Sequence, residues 1–178
     1  MLDRLDSAFT RIFAAGAALC MAGVFLVVFV NSLRRYTLNQ SWAWGEEMPI
    51  YLSIYGVMFG VAMAYMQDRH IRFTLLTDPL PARARAVLFA VVDVAMIAIG
   101  GLLVRSGLMF IESRGEREAS GIVTAAEGLA GATGMSWLGV FGTMAPWQFA
   151  IVLGGALLAL AAALRAARRI RDIRRGEV

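Results

Sequence analysis

Few residues in this 178-residue chain combine a reactive side chain with a position inside an apolar stretch. Asp93 lies near the middle of one such stretch, Cys20 lies alone in another, and His70 is the only histidine. A lone cysteine cannot form an intrachain disulfide, and one histidine does not suffice for a bis-histidine haem or a histidine-cluster metal site. The chain also shows no paired nucleophile and base. We therefore expect no cofactor, no metal site and no enzymatic activity.

Asp93 has two interpretations. A carboxylate that faces lipid costs about 2.5–3.5 kcal/mol on insertion scales, so this side chain must face protein or be protonated. No second acid and no arginine lies near it in the apolar stretches. We therefore favour a helix-packing hydrogen bond, within the chain or to a partner subunit. The alternative is a relay, in which a homodimer of this chain is a self-sufficient, proton-coupled four-helix exchanger and Asp93 is the coupling acid.

Charged and aromatic residues cluster where the first two apolar stretches connect. They are Arg34, Arg35, Trp42, Trp44, Glu46 and Glu47. A helix dipole stabilises carboxylates at its N-terminus, and arginine binds a carboxylate in a bidentate way. We expect a structural corner or a subunit interface, with Arg34 or Arg35 as the charge partner of the glutamates. A cation or proton site is less favoured, because adjacent residues on a helix point about 100° apart.

The apolar stretches that position these residues are long enough to cross a membrane. The chain is 59% hydrophobic and 17% charged, with a mean hydropathy of +0.66, and a spanning helix needs about 20 apolar residues. We predict an all-α integral membrane protein of one domain, 1–178, with four transmembrane helices at about 12–33, 46–67, 86–111 and 147–166. Pro49 either opens the second helix or, if that helix begins at Trp42, removes a hydrogen bond to the carbonyl of Gly45.

The arginine distribution predicts the orientation of the helices. All 17 basic residues are arginine. With four spans, the arginines of both termini and of the loop between the second and third spans fall on one side, which predicts cytoplasmic N- and C-termini. We expect the tail from Arg165 onward to bind anionic membrane lipid, and no nucleic acid to be a partner. His70 and Arg72 are expected at the cytoplasmic end of the second helix, where His70 caps carbonyls or contacts a partner.

The glycine-rich segment 112–146 is expected to lie at the outer interface, before the last helix. Its glycines fall at positions 121, 128, 131, 134, 139 and 142, and so many glycines weaken a lipid-exposed helix. A fifth span in this segment remains an alternative, since glycine is commoner in membrane helices than in soluble ones. A fifth span would place the most basic segment of the chain, the tail from Arg165 onward, on the outer side of the membrane.

An ordered set of motifs in the first half of the chain resembles a known family. The motifs are Arg35-Tyr36, the run Ser41-Trp42-Ala43-Trp44-Gly45-Glu46-Glu47, then Tyr51, Gly56 and Gly60, and His70-Ile71-Arg72 before Leu75 and Leu76. They resemble the small membrane subunit of tripartite ATP-independent periplasmic (TRAP) transporters, the DctQ-like family. Pro146-Trp147 and Gly154 agree more loosely, and the glycine-rich segment matches poorly.

The resemblance implies a scaffold function in a transporter. In that family the small subunit pairs with a large membrane subunit (DctM-like) that holds the substrate and sodium sites, and a soluble periplasmic substrate-binding protein (DctP-like) delivers the substrate. The chain is then expected to brace the stationary part of a sodium-coupled, elevator-type carrier for an organic acid in the bacterial inner membrane. The resemblance also suggests a contribution to docking of the delivery protein. The identity of the substrate lies in another chain.

Overall fold

The computed structural model describes residues 2–67 and 79–175. In these ranges the chain forms five α-helices and one 3-10 helix: α1 (Leu2–Leu38), α2 (Trp44–Met66), α3 (Ala82–Arg114), α4 (Val123–Thr133), the 3-10 helix (Ser136–Gly142) and α5 (Ala145–Arg175). The helices α1, α2, α3 and α5 are long and apolar enough to cross a membrane. The predicted all-α membrane protein with four such helices is therefore confirmed.

The first two helices form an antiparallel pair that depends on small residues. A Cβ atom added at Gly16 of α1 would lie 2.7 Å from the ring of Phe59, and one at Gly56 of α2 would lie 2.5 Å from the side chain of Met21. Because glycine has no Cβ, α1 and α2 approach each other closely at these positions. The connection is fixed by Asn31, whose Oδ1 accepts a hydrogen bond of 2.8 Å from the backbone N–H of Trp42.

The closest helix packing joins α3 to α5. A Cβ at Gly100 would lie 2.7 Å from the carbonyl oxygen of Gly155, and a Cβ at Gly155 would lie 2.7 Å from that of Gly100. Gly107 packs in the same way against Val152. The residue pairs run in opposite directions along the two helices, so α3 and α5 are antiparallel and meet backbone to backbone.

Helix α5 also packs against α2 and thereby closes the bundle. The rings of Tyr51 and Trp147 stack with centroids 5.0 Å apart, and the Tyr55 hydroxyl donates to the carbonyl of Pro146. We call this the aromatic end of the bundle. At the other end, where α1 begins and α5 ends and which we call the termini end, a core of seven buried residues joins α1, α2 and α5. They are Phe13, Ala62, Tyr65, Met66, Leu158, Ala161 and Ala162.

The two possibilities for Pro49 are resolved by the start of α2. The helix begins at Trp44, so Pro49 lies inside it and has no N–H for the carbonyl of Gly45. The Ser53 hydroxyl donates 2.7 Å to the Pro49 carbonyl in the following turn. The second helix therefore starts early enough to place Glu46 and Glu47 in its first turn.

The segment between α3 and α5 folds back on the aromatic end. Helix α4 has 11 residues, a length of about 16 Å, which is shorter than the hydrocarbon core of about 30 Å. Gly134, with φ of 71°, ends it in the left-handed conformation that glycine adopts without strain. The N–H of Ala119 donates 2.8 Å to the carbonyl of Gly142, which closes the segment into a compact loop. Its interfacial location remains a prediction.

Candidate functional site

Two tryptophan rings stack on each other where the connection from α1 enters α2. The rings of Trp42 and Trp44 are stacked with centroids 5.2 Å apart, and the Cζ atom of Arg34 lies 4.3 Å from the centroid of the Trp42 ring. The Nη2 atom of Arg34 also donates 3.3 Å to Gln40 Oε1. Arg35 lies over Tyr36 instead, 5.6 Å from its ring centroid. Both arginines are thus engaged by aromatic faces, an arrangement favoured electrostatically.

The two glutamates face partners other than these arginines. Ser120 Oγ donates 2.8 Å to Glu47 Oε1, and Ser41 Oγ donates 3.4 Å to Glu46 Oε1. In the described part of the chain neither Arg34 nor Arg35 forms the expected ion pair with a glutamate, so that prediction is wrong. The physical reason is local. Each arginine lies over an aromatic ring that is close to it in sequence, whereas Glu47 accepts a hydrogen bond from the segment that follows α3.

Glu47 fastens this segment to the start of α2. A Cβ added at Gly121 would lie 2.8 Å from Glu47 Cδ and 3.0 Å from the carbonyl oxygen of Ala43. Ala119 and Ile122, on either side, are buried together with Trp147. Glu47 and the segment 119–122 therefore form a packed junction at the start of α2. The role of the corner as a subunit interface stays a prediction.

Asp93 lies in a polar cluster at the termini end. Its Oδ1 accepts a hydrogen bond of 2.5 Å from the Tyr65 hydroxyl, and its Oδ2 lies 2.9 Å from Arg169 Nε. The carboxylate side chain is only 2% exposed and that of Arg169 is 20% exposed. The guanidinium Cζ of Arg169 also lies 4.8 Å from the ring centroid of Phe89. The cluster thus joins α2, α3 and α5.

The sequence-based expectation that Asp93 has no arginine near it is wrong. Helix α5 continues past its apolar part to Arg175, and its antiparallel packing brings Arg169 level with Asp93. Arg168, the preceding residue, pairs with Asp6 of α1 at 2.6 Å. These two arginines therefore face the bundle rather than lipid, whereas Arg174 and Arg175 are exposed. The prediction of lipid contact at the tail now concerns the exposed pair.

The other residues singled out from the sequence contribute little to these sites. His70 and Arg72 lie outside the described residues. Cys20 is half-buried in α1 against Gly56. In the part of the chain that the structure describes, no three histidine, cysteine, aspartate or glutamate side chains are grouped so that they could hold a metal ion.

Comparison with known proteins decides what kind of membrane protein this is. Residues 24–172 match the family model described as "Tripartite ATP-independent periplasmic transporters, DctQ component". The chain belongs to the DctQ family. The matched range includes Arg34, Trp42 and Glu47 of the corner, and Asp93 and Arg169 of the buried cluster. The DctQ component is a membrane subunit of transporters, a class that is not enzymatic, and the four long apolar helices of this chain agree with a location in the bacterial inner membrane.

Two curated relatives are similar to parts of this DctQ-family chain. A provisionally named TRAP transporter small permease protein of Haemophilus influenzae is 30% identical over 77 residues, which are 43% of this chain and 48% of the relative. The sialic acid TRAP transporter small permease protein SiaQ of Vibrio cholerae is 31% identical over 85 residues, 47% of this chain and 49% of the relative. The chain thus spans about half the length of the curated relatives it matches.

Several residues that build the two sites of the DctQ-family chain escaped the sequence-based reasoning. They are Asp6, Asn31, Tyr65, Ser120, Arg168 and Arg169. Arg169 could have been predicted from the sequence. If the last apolar helix continues into the basic tail and packs antiparallel to the preceding span, its arginines lie beside the first half of that span, which contains Asp93. For Ser120 no signal existed, since an irregular segment has no periodicity that predicts its direction.

Proposed function

We propose that this chain is the scaffold subunit of a sodium-coupled TRAP transporter that takes up an organic acid, and that it braces the large transport subunit. Membership of the DctQ family carries this proposal. In the proposed assembly the large subunit supplies the substrate and sodium sites, and a periplasmic substrate-binding protein delivers the substrate. The small subunit contributes rigid helices rather than chemistry.

Two glycines support the close approach of a partner subunit to these helices within the membrane. Gly100 and Gly155 are explained by packing within the chain, but a Cβ added at Gly60 of α2 or Gly101 of α3 would meet nothing within 4 Å. A glycine in a helix interior costs about 1 kcal/mol relative to alanine. At a surface where another helix approaches closely, that cost is offset by van der Waals contact. We infer that the large subunit approaches α2 and α3 at these positions.

The α2 surface near Gly60 has the composition that such a contact needs. Ile50, Ile54, Val57 and Val61 recur at helical spacing and are exposed in the isolated chain. Branched aliphatic residues around a glycine form a shallow groove that receives the ridge of a neighbouring helix. This face is the surface that we assign to the large subunit.

The buried cluster supports a structural role for Asp93 in the scaffold. Its carboxylate is engaged by Tyr65 and Arg169, and a coupling acid needs access to protons from one side of the membrane at a time. Asp93 in this arrangement stabilises the contact of α3 with α5. The homodimeric exchanger is therefore not favoured.

The aromatic end is the surface that we assign to docking of the substrate-binding protein. It combines the exposed carboxylate of Glu46 with the segment held by Glu47, and Trp137 on that segment is 59% exposed. An exposed tryptophan is typical of residues that dominate protein–protein contacts. This assignment requires the aromatic end to face the periplasm, as the arginine distribution predicts.

Co-purification with the neighbouring membrane subunit tests the proposal. A tag on this chain should recover the large subunit in equal amount, and Gly60→Leu should lower the recovery severalfold while leaving the thermal stability of the isolated small subunit unchanged. Gly128→Leu is the matched control, because Gly128 also has open space but lies on α4. Failure to recover any large subunit with the wild-type chain would contradict the scaffold function. Unchanged recovery with Gly60→Leu would contradict only the assigned face.

A further inference from the structure

An apolar groove opens at the aromatic end, between α2, α4, the 3-10 helix and α5. Its volume is about 490 Å³, which is within the range of sites that hold organic ligands. Its lining includes three tryptophans, Trp42, Trp44 and Trp147, together with Leu129, Leu138 and Phe141. The indole N–H of Trp147 donates 3.1 Å to the carbonyl of Phe141 and is thereby satisfied within the protein.

The composition of the groove restricts the chemistry of an occupant. Its lining consists of apolar and aromatic side chains, with no charged residue. A carboxylate or a sugar placed there would lose its hydration without compensating hydrogen bonds. The occupant must therefore be apolar where it enters the groove, and the transported organic acid is not suited to it.

A cation lies beside the same wall. The guanidinium of Arg34 stacks on Trp42, 4.3 Å from the ring centroid. Among the described residues no carboxylate pairs with Arg34. Gln40 satisfies only one of its donors. An arginine with free donors at an aromatic wall can bind a phosphate oxygen through charge-assisted hydrogen bonds.

The tryptophans of the groove are of the residue type expected at the depth of lipid headgroups. Tryptophans are enriched at membrane–water interfaces. Trp44 and Trp147 lie in the first turns of two helices that can span a membrane, and Trp42 lies just before the first of these. An apolar groove with a cation at its side, at this depth, matches one amphiphile with a phosphate and an acyl chain. We propose that the groove binds a single phospholipid, with an acyl chain against Trp42, Trp44 and Trp147 and its phosphate at Arg34.

Native mass spectrometry of the membrane complex tests this proposal. The complex is released from nanodiscs made of phosphatidylethanolamine and phosphatidylglycerol, and retained phospholipid is counted after increasing collisional activation. The wild-type complex should retain one phospholipid on the small subunit. Ala125→Phe, which places a ring in the groove at a half-buried lining position, should lower retention roughly tenfold, because the burial of several methylene groups is lost.

Matched variants separate the two parts of the site. Arg34→Gln should lower retention severalfold, whereas Arg35→Gln removes a neighbouring arginine that stacks on Tyr36 instead and should have no effect. Ala132→Phe, at an exposed position of the same helix α4, should also match the wild type. Retention that is the same in Ala125→Phe and Arg34→Gln as in the wild type would overturn the proposal. So would a cysteine at position 125 that cross-links efficiently to the large subunit, because the groove would then be a protein interface.

Discussion

The Nε atom of Arg169 lies 2.9 Å from Oδ2 of Asp93 and ties the C-terminal helix to α3 at the termini end. Asp93 is nearly completely buried, and Tyr65 of α2 binds its other oxygen. Removing one member of a buried ion pair is more damaging than removing both, since the remaining charge loses its compensation. The cluster is therefore a three-helix junction whose members depend on one another.

Neutralising Asp93 or Arg169 should destabilise the isolated subunit. We expect Asp93→Asn and Arg169→Gln each to lower the free energy of unfolding by about 3 kcal/mol, and the double variant to lose less than the sum of the two. Thermal unfolding in detergent measures the effect. Arg175→Gln is the control, because Arg175 is exposed on the same helix. Strictly additive losses would show that the two residues are not coupled.

Packing of α3 against α5 should be sensitive to a single methyl group. Gly100→Ala places a Cβ 2.7 Å from the carbonyl oxygen of Gly155, and such overpacking costs about 1–3 kcal/mol. Gly101→Ala adds the same methyl to the adjacent residue, where nothing lies within 4 Å, and should leave the isolated subunit as stable as the wild type or slightly more so. Equal melting temperatures for the two variants would contradict the packing described for Gly100.

The two glutamates of the corner should differ in importance. Glu47→Ala removes the 2.8 Å contact with Ser120 and loosens the segment beside Gly121, so we expect a loss of about 1 kcal/mol and a lower yield of the complex. Glu46 is exposed and makes only a 3.4 Å contact with Ser41. Glu46→Ala should therefore leave stability unchanged. Limited proteolysis within the segment that follows α3 measures the difference, and a larger effect of Glu46→Ala would refute this assignment.

Both chain termini should lie in the cytoplasm. The structure places the start of α1 and the end of α5 at one end of the bundle, where Arg168 pairs with Asp6, and the arginine distribution assigns that end to the inner side. A periplasmic alkaline phosphatase reporter should be inactive when fused after Val178 and active when placed near Gly115, at the opposite end. The reverse pattern would invert the topology, and with it the depth assigned to the groove.

Hydropathy alone was sufficient to predict the helices. Each predicted span lies within one of the four long helices, to within one residue at Gln67, because the bilayer requires uninterrupted apolar runs. The corner around Trp42 was also predictable, since adjacent helices joined by a short connection must bring its residues together. The partners within that corner were not predicted, because Arg34 lies over Trp42 and not against a glutamate.

Contacts between distant parts of the chain were not predictable in the same way. The partner of Asp93 depends on the length and register of α5. Hydropathy predicts that this helix ends where its arginines begin, and therefore does not predict that Arg169 reaches Asp93. The partner of Glu47 depends on how the irregular segment returns to α2. Charges were expected to pair with the nearest opposite charges along the chain. The aromatic rings and the tertiary fold supplied closer partners.

Uptake by reconstituted vesicles tests the scaffold function most directly. Vesicles that contain this chain, the large membrane subunit and the periplasmic binding protein should take up a radiolabelled organic acid under an inward sodium gradient, and omission of any one of the three should abolish uptake. Vesicles with this chain alone should transport neither the acid nor protons. Sodium- or proton-coupled transport by this chain alone, abolished by Asp93→Asn, would contradict the account and establish the homodimeric exchanger instead.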